Sequence, residues 1–195
     1  MVLKSLDRDL NYNLELAIRP AAIEDTKAAS AILARSFYDF PEYIRWVYPF
    51  LRFTINEDLR YRLRSASPHY CCLVAKARTS IEGDKVEEVV VGTIEIALRS
   101  TLWSNNSQHP YISNLAVDLE YRCMGIGSKL LQACERVALD WGYQETKLHV
   151  LDCNESAKRL YYCHGYQISQ IEPNWGSLWF DCSSRLLLRK TFQRS

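Results

Sequence analysis

The chain has 195 residues, of which 48% are apolar, and this length and composition suit a single domain with a packed core. Its 24 Lys and Arg residues balance 23 Asp and Glu residues, so no overall field draws it to nucleic acid or to an anionic membrane. No apolar run reaches the roughly 18 residues of a membrane-spanning helix. Any charged partner is therefore recognised by local groups.

Seven Cys residues lie mostly in apolar or periodic stretches, without a Cys-x-x-Cys pair, and the four His residues are far apart in sequence. We therefore expect buried free thiols in a reducing compartment and no structural metal. The first residues include Asp7 and Asp9 and lack both an apolar signal core and an acid-poor transit composition, which predicts a cytoplasmic protein. We assign residues 1–13 to a polar leader and residues 14–191 to one domain.

The first third of the chain predicts a strand followed by helices. Residues 14–18 alternate like a strand that stops at Pro20, and Glu24 opens a helix that Phe40-Pro41 breaks. Residues 42–65 are rich in aromatic residues and Arg, which predicts one or two helices. Their aromatic side chains form either a core stripe beside a solvated basic face or a wall of the substrate site.

The rest of the chain contains the clearest elements. Strand candidates at 70–77 and 89–98 flank a polar turn, and a third candidate spans 111–117. Apolar residues form one helical face from Ile126 to Trp141, and Gly142 is placed to end that helix in the left-handed conformation. The remaining predicted elements are a strand at 147–151, a short helix capped by Asn154 and ended by Gly165, and strands at 166–171 and 178–188. This order favours a mixed α/β sheet over a doubly wound one.

The segment Arg122-Cys123-Met124-Gly125-Ile126-Gly127 lies directly between a strand and the best-defined helix. Its two glycines leave the backbone amides and the positive helix end free to face a pyrophosphate, and Arg122 adds a charge-assisted contact. A simple tight turn is the alternative. A dinucleotide fold would need a third Gly, and a P-loop would need Gly-Lys-Ser where the chain has Gly127-Ser128-Lys129.

Together with Asn114-Leu115-Ala116-Val117 before it, this segment resembles the cofactor motif of the GNAT superfamily of N-acetyltransferases. Asn154-Glu155-Ser156-Ala157, followed by Leu160-Tyr161 and Gly165-Tyr166, resembles the family's second signature at the usual distance. The resemblance implies an α/β fold with a mostly antiparallel central sheet, a splayed strand pair and flanking helices. It also implies acetyl-CoA as co-substrate, no metal, and direct attack by an amine in a ternary complex.

The same resemblance implies which residues bind the cofactor. The pantetheine arm would bond to the backbone of Leu115, Ala116 and Val117 between the splayed strands, and the pyrophosphate would rest on the amides that follow Arg122. Tyr161 would direct its hydroxyl at the CoA sulfur, because a phenol with a pKa of about 10 donates a proton to a departing thiolate; a core aromatic is the alternative. The candidate cofactor-binding residues are Leu115, Ala116, Val117, Arg122, Cys123, Met124, Gly125, Ile126, Gly127, Ser128, Asn154, Ser156 and Tyr161.

His149 and Tyr111 are the candidates for deprotonating the acceptor amine. His149 lies on a predicted strand, and imidazole titrates in a range that suits proton relay; a hydrogen-bonded structural His is the alternative. The stretches that begin at Tyr111 and surround His149 resemble San-type N-terminal acetyltransferases, in which a Tyr and a His at these places share a water. RimI-type enzymes have Glu where His149 stands. Phe40-Pro41-x-Tyr43 is similar, in approximate register, to the San-type peptide-binding loop.

The preferred function is acetyl transfer to a protein N-terminal α-amine, with lysine ε-amines as a second target. The alternatives are an acetyltransferase for a polyamine, amino acid or antibiotic, and a non-catalytic acetyl-CoA sensor. A polyamine would require an acidic pocket, whereas the acids of residues 42–58 are offset by neighbouring Arg residues, which favours a peptide. Asn174-Trp175-Gly176 predicts either a hairpin turn or a loop over the peptide. We expect a monomer or homodimer, with no nucleic-acid or membrane partner.

Overall fold

Strands from both halves of the chain join into one sheet with helices on its faces. The computed structural model describes residues 15–37, 48–65, 67–81, 85–100, 108–173 and 184–192. Its strands are β1 (Leu16–Pro20), β2 (Tyr70–Ile81), β3 (Lys85–Ser100), β4 (Gln108–Val117), β5 (Glu145–Leu151), β6 (Gln167–Pro173) and β7 (Ser184–Thr191). Its α-helices are α1 (Thr26–Phe37), α2 (Tyr48–Arg64), α3 (Ile126–Asp140) and α4 (Glu155–Cys163).

The sheet has the strand order β1-β2-β3-β4-β5-β7-β6. Neighbouring strands are antiparallel except β4 and β5, which are parallel and pair only at Tyr111 with Lys147 and at Ile112 with Leu148. Just beyond these pairs Asn114 adopts a left-handed φ of 55°, and the register between β3 and β4 shifts, so β4 bends away from β5. The expected mixed α/β fold, with a mostly antiparallel sheet and a splayed strand pair, is confirmed.

The larger core lies between the sheet and α3. The helix buries one continuous face, because its apolar residues recur at helical spacing. At Gly92 of β3 an added Cβ would lie 3.0 Å from Leu130 Cδ1 and 3.2 Å from the Ala116 carbonyl oxygen, so glycine lets α3 approach the sheet closely. The helix ends one residue before the predicted Trp141, and Gly142 follows with a φ of 84°, as predicted.

A smaller core on the opposite face joins α1 and α2 to the sheet. There α2 turns Leu59, which is 1% exposed, toward α1 and β2. The interpretation of the aromatic residues as a core stripe is wrong for Phe50, Phe53 and Tyr61, which are exposed by 68%, 62% and 73%. Their spacing places them on the outer side of α2, away from Leu59. The predicted break at Phe40-Pro41 lies outside the described residues.

The cysteines depart from the expectation of buried free thiols. Cys153 is disulfide-bonded, and the free thiols of Cys123 and Cys163 are exposed. Cys123 and Cys153 lie in turns, and Cys163 is the last residue of α4. The apolar residues around them in the sequence did not indicate these exposed positions. Among the other described cysteines, Cys72 and Cys134 are buried and free, as expected.

Candidate active site

The loop before α3 has the geometry of an anion-binding site. Gly125 is the N-cap of α3 in the left-handed conformation, with φ 75°, and Cys123 just before it has φ 63°. A Cβ at Gly125 would have no neighbour within 4 Å, so the space in front of the helix is open. The first amides of α3, at Ile126, Gly127 and Ser128, have no carbonyl partner within the helix and point toward this space.

Arg122 and the second signature flank this loop. Arg122 Nε donates to the Val117 carbonyl at 3.2 Å, which holds its exposed guanidinium beside the end of β4. On the other side Ser128 Oγ and His164 Nε2 are hydrogen-bonded, which joins the start of α3 to the end of α4. A Cβ at Gly127 would lie 3.4 Å from Leu160 Cδ2, so the second glycine permits this close packing. The structure therefore brings the two signatures together.

Asn154 and Ser156 lie at the start of α4. The Asn154 side chain caps the helix by accepting a hydrogen bond from the Ala157 amide at 3.1 Å, as its N-cap position predicts. Capping uses the oxygen of the Asn154 side chain and leaves its amide nitrogen exposed. Ser156 is also exposed, so both side chains face solvent at the start of α4.

The gap between β4 and β5 is bordered by a buried polar network that sequence reasoning missed. Glu95 of β3, 1% exposed, accepts hydrogen bonds from Arg62 of α2, from the Tyr70 hydroxyl at 2.8 Å and from Asn114 at 2.6 Å. These bonds fasten the left-handed Asn114 where β4 leaves β5. Among the described strands, none pairs with the edge of Leu115–Val117 that faces β5, which suits an extended ligand.

Tyr161 lies deep in the large core, near the start of this gap. It is 7% exposed, and its ring meets that of Tyr166 edge to face at 5.8 Å. Burial, with a smaller contribution from the Tyr111 phenol, raises the pKa of Tyr161 to about 12. Within the described part of the chain its hydroxyl has no hydrogen-bond partner. A phenol with this pKa is protonated at neutral pH and has a proton to donate.

Tyr111 and His149 are in direct contact across the parallel strands. The Tyr111 hydroxyl lies 2.7 Å from His149 Nδ1, and their rings are 5.6 Å apart. Nε2 of His149 lies 3.3 Å from Glu172 Oε2 of β6, close enough for an ion pair but not aligned as a hydrogen bond. A neutral imidazole with these neighbours carries its proton on Nε2, toward the carboxylate, and accepts a hydrogen bond from the Tyr111 hydroxyl at Nδ1.

Two Arg residues and one Glu set the electrostatics of this pair. Arg185 donates to Glu172 at 2.8 Å, and chiefly this bond lowers the pKa of Glu172. Burial, followed by the charge of Arg185, lowers the pKa of His149 below 6.5, against the opposing effect of Glu172. Burial raises the pKa of Tyr111, while Arg99 and Arg185 oppose the rise. His149 is therefore a neutral base at neutral pH, and Tyr111 keeps its proton.

Similarity to known proteins places these features in a family. Residues 33–166, more than half of the chain, match the acetyltransferase (GNAT) family. The chain belongs to this family.

Two curated relatives and one solved structure illustrate how the chain compares with other GNAT proteins. "GCN5-related N-acetyltransferase 10, chloroplastic" of Arabidopsis thaliana is 28% identical over 95% of this chain and 72% of its own length. Thialysine N-epsilon-acetyltransferase of Bos taurus is 34% identical over 65% of this chain and 72% of its own length. The PaiA N-acetyltransferase of Thermoplasma acidophilum, solved with coenzyme A, shares the fold with a TM-score of 0.66 and 21% identity over 92% of this chain and 100% of its own.

As a GNAT acetyltransferase, the protein uses acetyl-CoA as its co-substrate, and its own residues fit that ligand. The open space at Gly125 and the free amides of α3 suit the pyrophosphate, and the unpaired edge of β4 suits the pantetheine arm. The described residues contain no group of three or more His, Cys, Asp or Glu that could hold a metal ion. Among the described helices, none has the length and apolarity needed to cross a membrane.

Proposed function

We propose that this GNAT enzyme acetylates the N-terminal α-amine of a peptide or protein, with lysine ε-amines as a second target. The observation that carries the proposal is the direct hydrogen bond between Tyr111 and His149, residues that the San-type resemblance assigns to amine deprotonation. The neutral His149 supplies the basic site that an ammonium acceptor requires before it attacks a thioester. Its lowered pKa keeps the imidazole unprotonated at neutral pH.

In this mechanism the proton of the amine moves to the Tyr111 oxygen, directly or through one water, while Tyr111 passes its own proton to His149 Nδ1. The resulting imidazolium is stabilised by the Glu172 carboxylate, 3.3 Å from Nε2. Acetyl-CoA supplies the acetyl group and the thiolate leaving group. Tyr161 donates its hydroxyl proton to that sulfur and regains a proton from solvent, while the acetylated nitrogen releases its second proton to solvent, so that the products are an amide and the free thiol.

The charges near the dyad oppose a polyamine acceptor. The guanidinium of Arg99 lies 3.8 Å from the centre of the Tyr111 ring. The charge of Arg185 acts to lower the pKa of both Tyr111 and His149. These two cations outnumber the Glu172 carboxylate, which is the acidic group that acts on the pKa values of both residues of the pair, and they repel a polycationic substrate. This arrangement supports a peptide or amino acid acceptor over a polyamine.

The amine of a free lysine-like amino acid is the second candidate acceptor. It is favoured by the similarity to the cattle thialysine N-epsilon-acetyltransferase, whose name refers to an amino acid side chain. In both candidates the same dyad accepts the proton, and only the groups that hold the rest of the acceptor differ. The proposed single domain of residues 14–191, the monomeric or homodimeric state and the cytoplasmic location stay predictions.

A competition experiment tests the proposed acceptor. The protein is incubated with acetyl-CoA and a peptide library that varies the first two residues, together with free amino acids and polyamines, and the products are mapped by mass. We expect acetyl groups on peptide α-amines, with fewer on lysine side chains. Products confined to free amino metabolites would replace this assignment with the second candidate or with a polyamine.

A further inference from the structure

Arg99 stands beside the proposed proton-accepting pair and has no acidic partner among the residues that the structure describes. It lies near the end of β3, where its partner on β4 is His109. The next pair along the two strands is Leu98 with Pro110. Its guanidinium carbon is 3.8 Å from the centre of the Tyr111 ring, so the planar cation stacks on the phenol. Arg99 itself is exposed, and within the described part of the chain no carboxylate lies within ion-pair distance of it.

The neighbouring described cations Lys147, Arg185 and Arg189 on this face of the sheet each form an ion pair. Lys147 pairs directly with Arg189, and His149 lies two residues further along β5, so the three side chains share that face. Glu145 lies 3.4 Å from Lys147 and 3.5 Å from Arg189, and Glu172 binds Arg185. Arg99 is thus the cation near the dyad whose charge no described carboxylate balances.

Stacking leaves the hydrogen-bonding edge of a guanidinium free. The face of the Arg99 group rests on Tyr111, while its N–H donors lie in the plane of the group and make no hydrogen bond to another described residue. Such a fixed fork matches a carboxylate with two parallel hydrogen bonds. Because Tyr111 is also the proposed entry point for the amine proton, a carboxylate bound by Arg99 would belong to the molecule that carries the amine.

We infer that Arg99 determines acceptor specificity by binding a carboxylate that the acceptor carries close to its reactive amine. The inference rests on the proposed function, since it takes Tyr111 and His149 as the place where the amine is deprotonated. The carboxylate is either an acidic side chain near the N-terminus of a peptide or the α-carboxylate of a free amino acid. Both present the same planar anion to the guanidinium.

The test compares pairs of acceptors that differ only in this charge. One pair is a peptide with Asp at the second position and the same peptide with Asn there; the other pair is free lysine and lysinamide. For each pair the ratio of kcat/KM between the acid and its neutral amide is measured. We expect wild-type protein to favour the acid by roughly tenfold in at least one pair. Preference in the first pair identifies a peptide side chain, and preference in the second identifies a free amino acid.

Variants then assign the preference to Arg99. Arg99→Gln should bring the ratio close to one, and Arg99→Glu should bring it below one, because the introduced carboxylate repels the acid. Arg189→Gln is the matched control, since it removes a neighbouring cation that Glu145 already neutralises, and it should keep the wild-type ratio. The ratio is insensitive to a general loss of active protein, and the thermal unfolding of each variant checks its fold.

Two results would overturn the inference in distinguishable ways. Equal kcat/KM values for acid and amide in both pairs, in protein that acetylates all four acceptors, would remove the role of Arg99 and leave the proposed function intact. A preference for the acid that persists in Arg99→Gln would move the carboxylate site elsewhere. Failure of the wild-type protein to acetylate any of the four would remove the proposed function, and this inference with it.

Discussion

Tyr111 and His149 are 38 residues apart in sequence, yet the hydroxyl of one lies 2.7 Å from Nδ1 of the other. The parallel pairing of β4 with β5 sets Tyr111 opposite Lys147, and His149 follows two residues later with its side chain on the same face as Lys147. The phenol therefore reaches diagonally to the next strand. A pair joined in this way exchanges a proton internally, so each member depends on the other.

The first prediction concerns this dependence. His149→Ala and Tyr111→Phe should each reduce kcat/KM by a factor on the order of 10²–10⁴, and the double variant should lose little more than either single variant. The dissociation constant of acetyl-CoA, measured by calorimetry, should change little. Losses that multiply in the double variant would show that the two residues act separately.

The second prediction concerns pH and Glu172. Since the pKa of His149 lies below 6.5, kcat/KM should be level at neutral pH and fall on the acid side as the imidazole becomes protonated. Glu172 raises the His149 pKa, so Glu172→Gln should move this acid limb to lower pH. It should also lower kcat, because the imidazolium loses its counter-charge.

A matched control separates this positioning role from a structural one. Glu145→Gln changes a carboxylate on the same sheet face that pairs with Lys147 and Arg189, and it should leave the acid limb in place. An acid limb that stays in place or moves upward in Glu172→Gln would contradict the role given to Glu172. If the acid limb of the kcat/KM profile disappears only in His149→Ala, the group whose protonation causes that limb is the imidazole.

The third prediction tests the phosphate loop. Gly125→Glu should weaken acetyl-CoA binding by roughly a hundredfold or more, because it places a carboxylate where the pyrophosphate would rest. Gly142→Glu is the control: Gly142 has a similar φ of 84° and equally open surroundings, but it lies at the other end of α3. Calorimetry on both folded variants measures the difference. Equal losses in the two would attribute the effect to backbone strain.

The fourth prediction concerns the leaving group. Tyr161→Phe should reduce kcat by a factor on the order of 10²–10⁴ with little change in acetyl-CoA affinity, if the Tyr161 proton reaches the sulfur. Tyr162→Phe, a change at the adjacent and more exposed position, should have little effect on either quantity. Because the pKa of Tyr161 is about 12, its ionisation should not limit activity at neutral or mildly alkaline pH. A Tyr161→Phe variant within about threefold of wild type would show that water protonates the thiolate.

Features that depend on neighbouring residues in the sequence could be predicted well. Asn154 caps α4 as expected, and Gly142 and Gly165 take left-handed conformations after the helices they follow. β1 ends at Pro20, as predicted, and because β1 is an edge strand it tolerates a residue without an amide donor there. The turn predicted near Asn174 lies outside the described residues.

Features that depend on strand pairing could not be read from the sequence. Glu172 reaches His149 only because β7 lies between β5 and β6 and sets Arg185 opposite both Leu151 and Glu172. Glu95 meets Arg62 across 33 residues of chain. No local pattern connects these residues, so the acidic and basic groups that surround the dyad emerged from the fold alone.

The short junction between β4 and β5, two residue pairs long, divides the sheet into a part with β1 to β4 and a part with β5 to β7. Few backbone hydrogen bonds resist separation at this line, so local opening there requires less free energy than global unfolding. A ligand that bridges both parts stabilises the closed arrangement by mass action. Acetyl-CoA should therefore slow amide hydrogen exchange on both facing strands. Binding of the co-substrate would then stabilise the junction between the two parts of the sheet, in addition to supplying the acetyl group.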